Sequence, residues 1–181
     1  VSDSALREKY AHRFRVHDAD GDGFVAEQDV VARAERLIAA LGEDPSAEPA
    51  RAALARARAF WQGLVAYSGD GSAGRLDEKA FVDALERARE AGVLGELVEP
   101  SVRAHVALVD RDGDGAVSLE EFVTSQQAMG QTASAAREAF AALDGNGDGV
   151  VSAEEWLQAV VDFYTVTGRA AAPGDRILGL R

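Results

Sequence analysis

Apolar side chains recur along this chain at intervals of three and four residues, interrupted by short glycine-rich stretches. Leu6, Tyr10 and Phe14 stand at i, i+4 and i+8 and form one stripe of a helix. Val30, Val31, Ala34, Leu37, Ile38 and Leu41 form the next, and Gly42 follows as a natural C′ residue. Phe60, Trp61, Leu64 and Val65 precede a second break, which Phe81, Ala84, Leu85 and Ala88 leave. Val102, Val106 and Val109 lead into a third, and Phe122 and Val123 leave it before Gly130. Ala136, Phe140 and Leu143 lead into a fourth, and Trp156, Val160, Phe163 and Tyr164 leave it. The periodicity predicts an all-α protein of four helix–loop–helix units. The segment GVLGELVEP (92–100) has two glycines and a proline, and predicts a bend folding the halves together.

Three of the breaks repeat one pattern: DADGDGFVAEQD (18–29), DRDGDGAVSLEE (110–121) and DGNGDGVVSAEE (144–155). The last two fit D-x-[DN]-x-[DN]-G-x5-E in full, and the first departs only at its final residue. The spacing has a chemical reason. A hard divalent cation such as Ca²⁺ takes roughly 6–8 oxygens at about 2.3–2.6 Å. Twelve residues can wrap it with side chains from positions 1, 3 and 5, a carbonyl from position 7 and a carboxylate from position 12. Position 6 must turn with positive φ, and Gly23, Gly115 and Gly149 occupy it. Position 8 is an inward aliphatic residue each time: Val25, Val117 and Val151. A solvated acidic turn has no need of these fixed offsets.

The remaining break contains GDGSAG (69–74), a literal match to the dinucleotide fingerprint G-x-G-x-x-G. That fingerprint needs a strand before the glycines inside a βαβ unit. Residues 50–66 have helical spacing instead, and no later segment reads as parallel β. Placed on the twelve-residue template (69–80), Gly74 takes position 6 and Leu76 the inward position 8. Positions 1, 3, 5 and 12 become Gly69, Gly71, Ala73 and Ala80, none with a side-chain oxygen. The loop has lost its ligands and kept its frame. A lone helix–loop–helix leaves apolar surface exposed, so such units pack in pairs through short β contacts between loops. Leu76 is expected opposite Val25, and Val117 opposite Val151. Residues 1–92 then form one pair, and 93–181 a second pair with an apolar tail.

Acids outnumber bases by 31 to 19, a formal charge of −12. This charge disfavours nucleic acid and anionic membrane as partners and favours cations. There is no cysteine, so thiolate metal sites, disulfides and cysteine nucleophiles are excluded. The most apolar long stretch, 52–66, is broken by Arg56 and Arg58, which argues against a membrane span. The N-terminal VSDSALREKYAHRF has no apolar run of leader length, and a cytoplasmic protein is expected. No catalytic constellation stands apart from the acidic loops, so no enzyme is expected. His12, His17 and His105 lack partners at metal-ligand spacing and read as helix-face residues.

Four such units with the second one dead resemble the calerythrin and sarcoplasmic calcium-binding protein family. The ending FAALDGNGDGVVSAEEWLQAVVDFYTVTG (140–168) is especially similar, and aspartate closing the first loop also recurs in that group. The resemblance is weakest across 43–58 and after 168. It implies a compact four-EF-hand array, three bound Ca²⁺ ions and a calcium-buffer role. Carried over by position, the ligands of the first loop are Asp18, Asp20, Asp22, the Phe24 carbonyl and Asp29. Those of the 110 loop are Asp110, Asp112, Asp114, the Ala116 carbonyl and Glu121. Those of the last are Asp144, Asn146, Asp148, the Val150 carbonyl and Glu155.

The three loops differ. Ser118 and Ser152, at position 9, can hold a bound water; Ala26 cannot. Asp29 is one methylene shorter than glutamate, which favours six-coordination and tolerance of Mg²⁺ at 18–29. Three divalent ions would halve the net charge. Two roles stay open. A sensor opens an apolar groove, often lined with methionines, and this chain has one, Met129. The tail DRILGL (175–180) either plugs that groove with Ile177, Leu178 and Leu180, or frays. Calcium-triggered photoproteins share the loop plan but need a sealed cavity lined by His, Trp and Tyr. Three His, two Trp and three Tyr do not suggest one. The expected protein is a monomeric buffer or transporter without an obligatory protein partner.

Overall fold

The structure, a computed structural model, describes residues 2–69, 74–166 and 173–178. Its order is α1 (Ser2–His17), β1 (Phe24–Ala26), α2 (Glu27–Leu41), α3 (Glu48–Val65), β2 (Arg75–Asp77) and α4 (Glu78–Glu90). It continues with α5 (Leu94–Val109), β3 (Ala116–Ser118), α6 (Leu119–Ala128), α7 (Ala133–Leu143), β4 (Val150–Ser152), α8 (Ala153–Thr165) and α9 (Pro173–Ile177). The all-α reading with short β contacts holds. Each strand is three residues long and begins at position 7 of its loop. β1 pairs antiparallel with β2, placing Val25 opposite Leu76, and β3 with β4, placing Val117 opposite Val151. All four of these side chains are fully buried, which is why position 8 is aliphatic.

The helical stripes supply the core. Leu6, Tyr10, Phe14, Leu37, Ile38, Phe60, Trp61, Leu64, Phe81 and Leu85 are buried in one continuous cluster with Val106, Phe122, Phe140, Trp156 and Phe163. Gly42 ends α2 in the left-handed region (φ +67°), and its N–H bonds the Ala39 carbonyl at 3.1 Å. The middle of α1 is tied to the C-terminal end of α8: the Tyr10 hydroxyl donates to the Tyr164 carbonyl at 2.5 Å. Burial, the largest influence, raises the Tyr10 phenol far above its ordinary range, so it stays a donor.

The predicted bend at 92–100 is smaller than expected. Gly92 turns the chain (φ +74°), but α5 starts at Leu94 and carries Gly95 and Pro100 inside it. Pro100 removes one helical N–H, a cost that burial of Leu94, Val98 and Val102 outweighs at about 1.5–3 kcal/mol each. α5 packs on α3 at close range. A Cβ on Gly63 would lie 2.3 Å from Leu97 Cδ1, so a larger residue there would make the Leu97 side chain shift.

The tail is packed over its described part. Ile177 is buried, and Lys9 Nζ reaches Asp175 Oδ1 at 2.7 Å from α1. Gly174 lies so near α8 that a Cβ would stand 2.0 Å from the Ala159 carbonyl oxygen. Leu180, and the positions Gly71 and Ala73 of the degenerate loop, lie outside the described residues. Among the described residues, no helix is long and apolar enough to cross a membrane.

Candidate metal centres

Each acidic loop begins where its incoming helix ends. Asp18, Asp110 and Asp144 still bond the carbonyl four residues back through their N–H groups, at 2.8, 2.9 and 2.9 Å. Their side chains then turn inward and accept from the N–H of position 6: Gly23 at 3.2 Å, Gly115 at 2.9 Å and Gly149 at 3.0 Å. Those glycines have φ near +83°, +89° and +88°, as the turn requires. Position 5 bonds position 7: Asp22, Asp114 and Asp148 accept from Phe24, Ala116 and Val150 N–H at 2.8, 2.9 and 3.0 Å. These bonds leave the carbonyls of Phe24, Ala116 and Val150 at the first residue of each strand.

The acids converge. Asp18, Asp20 and Asp22 each offer an oxygen within 4.8 Å of the others, and so do Asp110, Asp112 and Asp114. In the last loop Asn146 Nδ2 donates to Asp148 Oδ2 at 3.0 Å, joining positions 3 and 5. Like charges held this close repel, and a divalent cation removes the repulsion. Asp18 Oδ1 is buried without a hydrogen-bond partner among the described residues. Such an orphaned carboxylate oxygen, in an all-oxygen donor set, fits a hard cation.

Position 12 separates the loops. Asp29, Glu121 and Glu155 each fall on the third residue of the exiting helix. Glu121 Oε2 accepts from Ser118 N–H at 2.9 Å and Oγ at 2.7 Å, while Oε1 crosses the loop to Arg111 N–H at 2.9 Å. Glu155 repeats this with Ser152, at 2.9 and 2.8 Å, and with Gly145 N–H at 3.2 Å. Burial alone would raise the Glu121 carboxyl, but the bonds from Ser118 and Arg111 override it and hold it low. Among the described residues Asp29 bonds only Ala26 N–H, at 2.7 Å. Its shorter side chain makes the near contact and not the far one.

Ser118 and Ser152 cap the exiting helices, Ser118 accepting from Glu121 N–H at 3.4 Å and Ser152 from Glu155 N–H at 3.2 Å. In the degenerate loop Asp77 does this alone, accepting from Ala80 N–H at 2.7 Å. Its surroundings are cationic: Arg87 donates to the Tyr67 carbonyl at 3.0 Å beside Gly69, and Arg75 stacks 3.8 Å from the Phe24 ring centroid. With Gly69 at position 1 and Ala80 at position 12, the two ends of this loop lack the carboxylates that the other three place there.

Comparison with known proteins agrees with this geometry. A sequence model described as EF hand matches residues 107–124 and 136–161. Calerythrin of Saccharopolyspora erythraea is 28% identical over 155 residues, covering 84% of this chain and 88% of that one. A Streptomyces coelicolor calcium-binding protein, described as a basis for prokaryotic calcium-mediated regulation, superposes with a TM-score of 0.77 at 31% identity. That match covers 90% of this chain and 99% of the other. Calcium-loaded apo-aequorin from Aequorea victoria shares the fold, with a TM-score of 0.75 at 20% identity, covering 92% and 94% of the two chains. With three repeats of the loop chemistry and a relative matched over nearly its whole length, the chain belongs to the calerythrin-like family of EF-hand calcium-binding proteins.

Proposed function

We propose that the chain is a cytoplasmic, monomeric Ca²⁺ buffer holding three ions, one each in loops 18–29, 110–121 and 144–155. The first set of ligands is Asp18, Asp20, Asp22, Phe24 O and Asp29. The second is Asp110, Asp112, Asp114, Ala116 O and Glu121, and the third Asp144, Asn146, Asp148, Val150 O and Glu155. The 110 and 144 loops fill first, and the 18 loop admits Mg²⁺. The observation that carries this reading is the convergence of carboxylate oxygens in the 18 and 110 loops, with Asp18 Oδ1 buried and without a hydrogen-bond partner among the described residues. A buffer rather than a sensor is supported by closure of the apolar surface. Among the described residues only Leu119 and Val166 are large apolar side chains that stand exposed, and Ile177 is already buried on the core.

A second reading, a sensor, is favoured by the Streptomyces relative, which is described in terms of calcium-mediated regulation. The two separate cleanly. Calorimetric titration should find three Ca²⁺ per chain, and each site filled to a hundred times its Kd should add about 2.7 kcal/mol of stability. With Ca²⁺ the protein should pass unretained through a phenyl-substituted matrix. Retention only with Ca²⁺ would assign the sensor role, and melting curves that coincide in chelator and in Ca²⁺ would overturn both.

A further inference from the structure

A partly open cavity of about 180 Å³ lies between α1, α2, α3, α5 and α8, with Ile177 of α9 and the adjoining Leu178 in its wall. The sparse histidine and aromatic content argued against such a chamber, yet His17, His105, Trp156 and Tyr164 all line it. His105 packs on Trp156 at 5.1 Å between ring centroids. Burial, then the Arg33 charge, pushes the His105 imidazole down to about 4, so it is neutral at physiological pH. Burial likewise holds His17 well below its ordinary range, and Arg13 Nη2 approaches its Nε2 at 3.4 Å.

The charge of this chamber is opposite to that of the molecule. Its lining contains Arg13 and Arg33 and no aspartate or glutamate. Arg13 is only 6% exposed, and its Nε and Nη1 have no hydrogen-bond partner among the described residues. Arg33 is half-buried beside it. Burial, then the charges of Arg13 and Arg36, pushes the Arg33 guanidinium down to about 9. Gln126 Oε1 is a further buried, unbonded polar atom on the wall. A buried cation without a counter-charge is strongly unfavourable unless something pairs with it. Elsewhere acid is plentiful, and Lys9, buried nearby, has Asp175. The unpaired guanidinium donors face apolar and aromatic walls.

We propose that this cavity binds a small aromatic carboxylate, its carboxylate held by Arg13 and Arg33 and its ring lying among Trp156, Phe60 and Val160. Planar guanidinium donors match a carboxylate in a way an ammonium does not. The size fits one ring, since an apolar cavity of about 150 Å³ accommodates benzene. Gln126 Oε1 offers an acceptor to a hydroxyl on that ring. None of the residues of the three acidic loops lines the cavity, although His17, Val30 and Trp156 adjoin their ends.

The test is calorimetric titration of the Ca²⁺-saturated chain with 4-hydroxybenzoate and with its uncharged isostere 4-hydroxybenzamide. One carboxylate should bind per chain, with the amide weaker by about tenfold or more. Arg33→Met should weaken the carboxylate by about tenfold and erase its preference over the amide. The same variant should leave Ca²⁺ stoichiometry unchanged and, without ligand, melt no lower than the parent, because it removes a half-buried positive charge that stands beside Arg13. Arg13→Met should do the same. If it does not fold, quenching of Trp156 in the parent by the two compounds supplies the comparison. No heat or quenching up to about 10 mM, equal binding of acid and amide, or a preference surviving in Arg33→Met would each overturn the proposal.

Discussion

In the pair formed by loops 110–121 and 144–155, each exiting helix opens with a serine and a glutamate that cap each other. Each glutamate also crosses to a backbone N–H at the loop's second position. In the pair formed by 18–29 and 69–80, Asp29 caps its helix but makes no such crossing among the described residues, and Ala80 has no carboxylate at all. Both pairs nevertheless have the same two-stranded contact with the same fully buried aliphatic centre. The difference teaches that two properties of a loop are separable. The strand and its inward side chain set the loop's shape, whereas the closing acid sets how firmly its two ends are joined before any cation arrives. Preorganised ends lose less freedom on binding, and affinity follows.

The sharpest way to break the comparison is to attack the shape. Leu76→Ala should destabilise the protein by about 3 kcal/mol, since it empties a fully buried position. Because Leu76 faces Val25, it should weaken Ca²⁺ binding at 18–29 more than at the other loops. Denaturant unfolding and calorimetry read both effects, and equal weakening everywhere would mean the dead loop is not a local brace. Next comes the closure. Glu121→Asp should lose the bond to Arg111 N–H and cost that loop about 2 kcal/mol of Ca²⁺ affinity, measurable by competition with a chelator. The smallest effect is the reciprocal change. Asp29→Glu should tighten the first loop about tenfold for Ca²⁺ and reduce its tolerance of Mg²⁺. If Asp29→Glu gains nothing, the helix position of residue 29 rather than its side-chain length limits that loop.

The loops and helices were legible because their signals are local. Position 6 demands glycine, position 8 an aliphatic residue, and the stripes at i, i+3 and i+4 announce each buried face. The register of Val25 on Leu76 and of Val117 on Val151 followed from those offsets alone. Where the reading went astray, tertiary context decided. Gly95 and Pro100 look like a bend, but burial of Leu94 and Val98 draws the segment into α5. The cationic chamber was illegible for a different reason. Arg13, Arg33, His105 and Trp156 lie far apart in the chain, and in an acidic sequence two arginines on helix faces attract no notice. Only the packing of α1, α2, α5 and α8 brings them together.

The bond from the Tyr10 hydroxyl to the Tyr164 carbonyl spans 154 residues. A ribosome adding about 5–20 residues each second makes Tyr10 wait on the order of ten seconds or more for its partner. Until then the nascent first helix has a polar group with nowhere dry to put it, and its apolar stripe stays uncovered on the α8 side. Completion of this core therefore waits until α8 has been made.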